Sequence, residues 1–415
     1  MNWSIPLFSG YLFLFLWFAG KAGFFRRSGL SATELRSLFL VKVLAGIAYG
    51  YAGLHYYQQG QLLDTWWLHH AGREEWHLLQ EHPGQLFSGW LSKDYPRGYG
   101  GFLSSRGSWW NDLHTNVFIK VMALMQGLSG GRYFVIVLFF AAASMTASVA
   151  LYRWFRSIYP NRKWPLLAGA FLIPSHLFWT TGIYRDAPVA LGLALVLYAF
   201  GCWIGGRARA GHAAAFLLGL LLILVFRNYL VLLVFPGLLA WRLSVNRNTA
   251  ACFTAVYGLT VLLFFGARLL WPALDFPQAV VEKQEDFLRL SGRSFVPMPL
   301  LSRSVGSFLA AAPEALLRML FRPLPGDAYN LFLRLSCAEL LLLWAVALAA
   351  LTRLRSFRLS PPLAFCLFFS VSLLLLTGYI VPFLGAMVRY RALLLPLLLT
   401  PLICMAFSSK RPYTY

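Results

Sequence analysis

The stretch MNWSIPLFSGYLFLFLWFAG, residues 1–20, decides the class of this protein. No basic residue precedes its apolar run; Lys21, Arg26 and Arg27 follow it. A secretory leader carries its positive charge in front of the apolar segment. The run therefore predicts a first membrane-spanning helix rather than a leader. Apolar runs of roughly 17–25 residues, the length a helix needs to cross a bilayer, recur along the chain. Only 12% of the 415 residues are charged and 59% are hydrophobic, whereas soluble domains carry about 25% charged residues. The apolar runs are continuous rather than alternating, which argues against a β-barrel. The expected fold class is an all-α polytopic membrane protein, with residues 1–415 as a single transmembrane domain.

Eleven spans are predicted: 4–20, 37–57, 132–154, 165–183, 187–206, 212–226, 229–242, 250–270, 329–351, 362–385 and 391–408. Basic residues mark the cytoplasmic side of short loops. With the N-terminus outside and the C-terminus cytoplasmic, the inner segments carry Lys21, Arg26, Arg27, Arg36, Arg156, Arg162, Lys163, Arg207, Arg209, Arg247, Arg353, Arg355, Arg358, Lys410 and Arg411 against one carboxylate, Glu34. Thirteen of the fifteen acidic residues then fall outside, and Glu339 lies within a span. An even number of spans would break this separation. The net charge of +21 is thus largely a topological signal, and it argues against a nucleic-acid partner. The location expected is the inner membrane of a bacterium. The five cysteines, Cys202, Cys252, Cys337, Cys366 and Cys404, fall in or at the edge of apolar segments and suggest packing rather than a disulfide framework.

Two long outer loops are expected, 58–131 and 271–328. The first holds six of the fifteen carboxylates (Asp64, Glu74, Glu75, Glu81, Asp94, Asp112) and five of the eight histidines. A short helix is expected over about 67–82, and an amphipathic one over Asn116–Leu128, where Val117, Phe118, Val121, Met122 and Met125 share a face. The second loop predicts a helix over about 304–321, with Val305, Leu309, Leu316, Leu317 and Leu320 on one side and a kink or restart at Pro313. Both amphipathic segments read as helices lying on the outer leaflet.

Ionisable groups in or at the end of a span mark function or a buried pair. Asp64, just beyond the second span, could serve as a general base on an acceptor hydroxyl or hold a divalent metal, Mg or Mn, against a diphosphate. In PSHLFWTTGIYRDAP (174–188), Arg185 and Asp186 occupy a tight turn. They read either as a structural ion pair or, for Arg185, as a bidentate ligand to phosphate. His176 reads as a packed histidine more readily than as a substrate-binding one. Arg227, beside Asn228 and Tyr229, reads as phosphate binding or as snorkelling. Arg389 and Arg391 flank Tyr390 at the last outer turn, against the positive-inside bias, and point to phosphate or substrate binding. His70, Glu74 and His77 recur on one helix face but match no ligand motif, so a plain polar face is the simpler reading. Glu74 and Glu75 are the reserve carboxylates if Asp64 is inert. The other histidines of the loop, with Glu81, Asp94 and Asp112, read as scaffold. No P-loop, dinucleotide fingerprint or GxSxG elbow occurs.

The early outer loop with an aspartate soon after a span (QLLDTWW), its surface helices and the eleven spans resemble membrane glycosyltransferases of the GT-C superfamily. The segments SWWNDLHTNVFIKVMALMQGLSGGRYFVIVLFF, PSHLFWTTGIYRDAPVALGLALVLY, FRNYLVLLV and GAMVRYRALLLPLL look like a group of bacterial envelope proteins of this type. The resemblance implies a polyprenyl-phosphate sugar donor and a glycan, lipid or protein acceptor at the membrane. It implies inversion at the anomeric carbon, with or without a metal, and a catalytic carboxylate at Asp64. Here the loop follows the second span rather than the first. Asp64 is followed by Thr65-Trp66-Trp67, and the loop's acidic doublet is Glu74-Glu75. Two other functions fit the same pattern. One is a polysaccharide polymerase or O-antigen-ligase-like enzyme relying on outer arginines and on Arg289, Arg293 and Arg303 of the second loop. The other is a transporter for lipid-linked glycans, for which the mid-span charges Lys42, Arg334 and Glu339 are few.

Overall fold

The computed structural model describes residues 5–55, 64–91, 93, 95, 98–104, 107–353 and 359–407. Asp94, Arg355, Arg358, Lys410 and Arg411 lie outside the described residues. The described chain is all-helical, and its one β-bridge joins Phe295 to Phe383.

In chain order the helices are α1 (Ile5–Lys21), α2 (Gly23–Arg26), α3 (Ala32–His55), α4 (Asp64–Glu81), α5 (Trp109–Ser129) and α6 (Tyr133–Ile158). They continue with α7 (Lys163–Phe171), α8 (Pro174–Thr181), α9 (Asp186–Ile204), α10 (Ala210–Arg227), α11 (Tyr229–Leu243) and α12 (Thr249–Leu270). The last are α13 (Phe276–Leu288), α14 (Val305–Phe321), α15 (Leu331–Leu351), α16 (Pro361–Ile380) and α17 (Leu384–Ala406). Eight of these, α3, α6, α9, α10, α12, α15, α16 and α17, are long and apolar enough to cross a membrane. The remaining three spans expected from the sequence correspond to α1, to α11, and to the pair α7–α8.

The expected single span over 165–183 is therefore broken. Pro174 has no amide hydrogen to continue the first helix, and the chain restarts as α8. The Ser175 amide at the new helix start donates to Glu339 Oε1 of α15, 2.8 Å away. A carboxylate at a helix N-terminus satisfies an orphan N–H and complements the helix dipole. This is the local reason a glutamate is tolerated inside a span. Lys42, also buried within a span, donates to Ser144 Oγ at 2.8 Å.

Helices α6 and α9 form the centre, and α12 faces outward: their most apolar windows are 78%, 67% and 11% buried. Helix α9 crosses α10 at two facing glycines. A Cβ on Gly192 would lie 2.7 Å from the Gly219 carbonyl oxygen, and a Cβ on Gly219 would lie 2.7 Å from that of Gly192. Small residues let helices in lipid approach backbone to backbone. The crossing sets the spacing of the ends that carry Asp186 and Arg227.

The first expected helix of the 58–131 loop is present as α4. The second starts earlier than its apolar pattern, at Trp109, and ends at Gly130, whose φ of 57° makes a left-handed cap. Helices α4 and α5 lie against each other at Gly72, where a Cβ would meet Met122, and at Gly127, where it would meet Trp76. The second loop holds one helix that its sequence pattern did not reveal, α13, capped by Asp275 accepting from the Gln278 amide at 2.9 Å. Helix α14 runs through Pro313 without a break. Its buried side is Phe308, Ala311, Ala315 and Met319, while Val305, Leu309 and Leu317 are exposed. The helix is docked on α16, where a Cβ on Gly378 would lie 2.5 Å from the Ala315 carbonyl oxygen. The small alanines, not the large leucines, face the partner because the approach is close.

Gly219→Leu should strain the α9–α10 crossing and lower stability by about 1–3 kcal/mol, the usual cost of overpacking. Gly258→Leu on α12, where a Cβ would meet nothing within 4 Å, should not. Thermal unfolding of the two purified variants in the same detergent compares them directly.

Candidate functional site

The tight turn between α8 and α9 organises the site. Gly182 leaves the helix with extended geometry, and a Cβ there would lie 2.2 Å from the Tyr49 ring of α3. Only a glycine lets α3 pass so close. The turn then presents Tyr184, Arg185 and Asp186 in succession, with Asp186 as the first residue of α9. The free amides of a helix N-terminus favour a carboxylate at that place.

Asp186 is 3% exposed and is shared by two arginines from other helices. Arg227, the last residue of α10, forms an ion pair with its Oδ1, and Arg389 Nε of α17 donates to its Oδ2 at 2.6 Å. Aromatic rings enclose both guanidiniums. Arg389 lies 3.9 Å over the Tyr184 ring and 5.6 Å over Trp179. Arg227 lies 4.6 Å over Tyr390 and donates to the Tyr229 hydroxyl at 3.0 Å. A buried ion pair with good hydrogen bonds tolerates loss of one partner poorly. Asp186 thus ties the ends of three spans, and both readings of the Arg185-Asp186 turn divide: the ion pairs belong to Asp186 and not to Arg185.

Arg185 points elsewhere. It donates to His114 Nε2 and, at 3.2 Å, to Thr115 Oγ1, both on α5. The His114 Nδ1 hydrogen goes to the Trp110 carbonyl, 2.7 Å away, which leaves Nε2 as an acceptor. Burial and then the charge of Arg185 push the His114 pKa down to about 4. The imidazole is therefore neutral at pH 7, and Arg185 is held by neutral acceptors. Its Nε is buried with no hydrogen-bond partner.

Asp64 opens α4 and is exposed. The residues after it fix its position. Thr65 hydrogen-bonds the Tyr133 hydroxyl at 2.7 Å; Trp66 stacks on the Tyr133 ring at 3.9 Å and donates to the Gly50 carbonyl at 3.0 Å. Asp64 Oδ2 accepts from the Tyr184 hydroxyl at 2.8 Å. Tyr184 thereby joins Asp64 at its hydroxyl to Arg389 at its ring face. Asp64, Arg185, Asp186, Arg227, Arg389 and Tyr390 come together at one end of the bundle, although they are scattered through the sequence.

Four of the sequence candidates, Arg391, His176, Glu74 and Glu75, stand apart from this cluster. Arg391 is 3% exposed and turns the other way: its Nη1 donates to the Met319 and Arg322 carbonyls, 2.8 Å each, at the end of α14. His176 is 2% exposed, with Nδ1 2.9 Å from the Ala392 carbonyl. Glu75 pairs with Lys120 at 2.7 Å, which also donates to the Gln85 carbonyl. Glu74 is exposed on α4, as are His70 and His77. Asp112 accepts from Tyr99, from the Lys93 amide at 3.0 Å and from Asn116 at 3.0 Å, and so shapes its loop. Among the described residues no group of three or more His, Cys, Asp or Glu is gathered for a metal. Asp64 contributes one carboxylate with one oxygen already bonded to Tyr184, so Mg or Mn held there would take its other ligands from substrate phosphate and water.

The residues missed in the sequence are Tyr184, His114 and Thr115. Tyr184 stands beside two charged residues, and nothing local marks its hydroxyl as the partner of Asp64, 120 positions away. His114 lay in a loop whose histidines looked interchangeable, and nothing local marks it as the partner of a residue 71 positions away. No protein-family model matches the chain, and neither the curated proteins nor the solved structures yield a match.

Two outcomes are expected. Arg391→Gln should lower the unfolding temperature by several degrees, since one buried and one part-buried carbonyl would lose a charged donor, at roughly 1–3 kcal/mol for the buried one. A phosphate ligand, by contrast, would leave stability unchanged. For His114, the folded pKa lies below the unfolded value of about 6.5, so the unfolded state binds the extra proton. The stability His114 provides is complete above about pH 6.5, falls as the pH drops towards 4, and is level below that. Thermal scans should show the advantage of the native chain over His114→Gln shrinking across this window; a growing advantage would refute the assignment.

Proposed function

We propose that this chain is an integral-membrane glycosyltransferase of GT-C type that moves a sugar from a polyprenyl-phosphate donor to a glycan, lipid or protein acceptor. The cluster at the α8–α9 turn is its reaction site, at the outer face of the bacterial inner membrane, with eleven spans, the N-terminus outside and the C-terminus cytoplasmic. The observation that carries this reading is the hydrogen bond from Tyr184 to Asp64. It sets an exposed carboxylate beside Arg185, the arginine of the cluster without a carboxylate partner among the described residues.

The roles follow from charge. Arg227 and Arg389 are compensated by Asp186 and form a rigid frame. Arg185 keeps its positive charge and an unsatisfied Nε, and a guanidinium fork matches phosphate oxygens. The acceptor hydroxyl oxygen attacks the anomeric carbon, and the bond from that carbon to the phosphate oxygen breaks. The electron pair leaves with polyprenyl phosphate, where Arg185 stabilises the developing charge. Asp64 takes the acceptor's proton, with Tyr184 holding the carboxylate in place. No step here passes through a metal.

Purified protein given polyprenyl-phosphate hexoses should release polyprenyl phosphate as the acceptor is glycosylated. Asp64→Asn should lower kcat about 10²–10⁴-fold, the usual share of a general base. Arg185→Gln should raise the donor KM by at least about tenfold, the loss of a charged hydrogen bond. Unchanged turnover in Asp64→Asn removes the base from the mechanism. Release of polyprenyl diphosphate, sensitive only to arginine changes, would establish the polymerase or ligase reading. Movement of lipid-linked sugar without a new bond would establish transport.

A further inference from the structure

A second charged feature lies at the other end of α3. A cavity of about 540 Å³ opens between the end of α1, the α2 turn and the start of α3, with Lys163 of α7 on its rim. Glu34 and Tyr49, on α3, are separated by about 22 Å at 1.5 Å per residue, so this cavity is on the face opposite the Asp186 cluster. It is lined by Lys21, Arg26, Arg36 and Lys163 and by one carboxylate, Glu34.

Glu34 is already committed. One oxygen pairs with Lys163 at 2.6 Å, and the other accepts from the Ser31 amide at 2.8 Å in the capping box that starts α3. Among the described residues no ion pair involves Lys21, Arg26 or Arg36. Three uncompensated cations thus face one concavity. The Arg36 Nε donates to the Leu16 carbonyl at 3.3 Å, which fixes that side chain, and the three cations raise the local potential for an anion in the concavity.

The walls are fixed in advance. Arg156 of α6 donates to the Ser28 carbonyl and packs so close that a Cβ on Gly29 would lie 2.0 Å from its Nη1. Gly29 has a φ of +79°, the left-handed turn that closes the cavity floor. Arg153 donates to the Phe24 carbonyl at 3.2 Å, and its guanidinium lies 4.6 Å from both the Phe24 and Tyr198 rings. The cavity volume is within the range of small-ligand sites. Beside it in the chain, Trp17 and Trp164 are 51% and 70% exposed, and tryptophan favours a membrane interface; Phe18, 52% exposed, adds apolar surface.

We propose that this cavity binds a phosphate-bearing anion, with the headgroup of an anionic phospholipid as its source. The phosphate accepts from Arg26 and Arg36, Lys21 adds charge, and the acyl chains run along the exposed aromatic side of α1.

The test uses full-length protein, delipidated in neutral detergent and examined by native mass spectrometry. The probes are phosphatidylglycerol, phosphatidylcholine and free glycerol phosphate. Phosphatidylglycerol should be retained over phosphatidylcholine. Arg26→Gln and Lys21→Gln should each weaken it about tenfold, as expected for one lost charged contact. Both residues are exposed, so folding is not at stake; Arg36→Gln is a third variant, read only if its unfolding temperature is unchanged. Arg247→Gln removes an exposed basic charge away from the cavity and should have no effect. If glycerol phosphate displaces the lipid at equal concentration, the phosphate site stands and its source is soluble. Equal retention of the two lipids, or equal loss in Arg247→Gln, overturns the proposal.

Discussion

One buried carboxylate holds one end of this bundle together. Asp186 accepts from Arg227 and Arg389, and so α9, α10 and α17 cannot separate there without exposing charge to an apolar interior. Water is scarce at such a place, and each guanidinium must find an acceptor within the protein. The rings of Tyr184, Trp179 and Tyr390 complete the enclosure. With this frame fixed, the adjoining residues can hold polar groups that are not locked in pairs.

The turn achieves this by sorting adjacent residues into separate tasks. Tyr184 reaches Asp64, Arg185 reaches α5, and Asp186 reaches α10 and α17. The sorting needs the close approach of α3 at Gly182 and of α9 to α10 at Gly192 and Gly219. Packing without side chains at those three points brings the polar ends into hydrogen-bonding range. The loop helices α4 and α5 then cover the turn, one supplying a carboxylate and the other a neutral histidine.

The two faces of the protein use positive charge differently. At the turn, one carboxylate, Asp186, compensates two of three arginines. At the α1–α3 cavity, Glu34 compensates Lys163 alone. The first arrangement gives a rigid cluster in which Arg185 is held by neutral acceptors near the exposed Asp64 carboxylate. The second gives a fixed concave surface lined by three cations that have no ion-pair partner among the described residues. Both depend on arginines that bond backbone carbonyls elsewhere, as Arg156 and Arg391 do, to hold the surrounding turns.

The sequence by itself determined the membrane class, most of the helix positions and which turns carry charge, because apolar run length and polarity are properties of contiguous residues. The existence of α4 and α5 was legible for the same reason. Helix α13 was not, since it is short and half polar, and neither was the face of α14 that meets α16, because residue size, not hydrophobicity, decides which face can approach so closely. The broken α7–α8 span turned on Glu339, a residue 164 positions from the amide it caps. Among four arginines that looked alike in sequence, tertiary structure alone decided their roles. Arg227 and Arg389 meet Asp186, Arg391 meets two carbonyls, and Arg185 meets a neutral histidine. A guanidinium's availability depends on which acceptors the fold brings to it, and those acceptors lie on other helices.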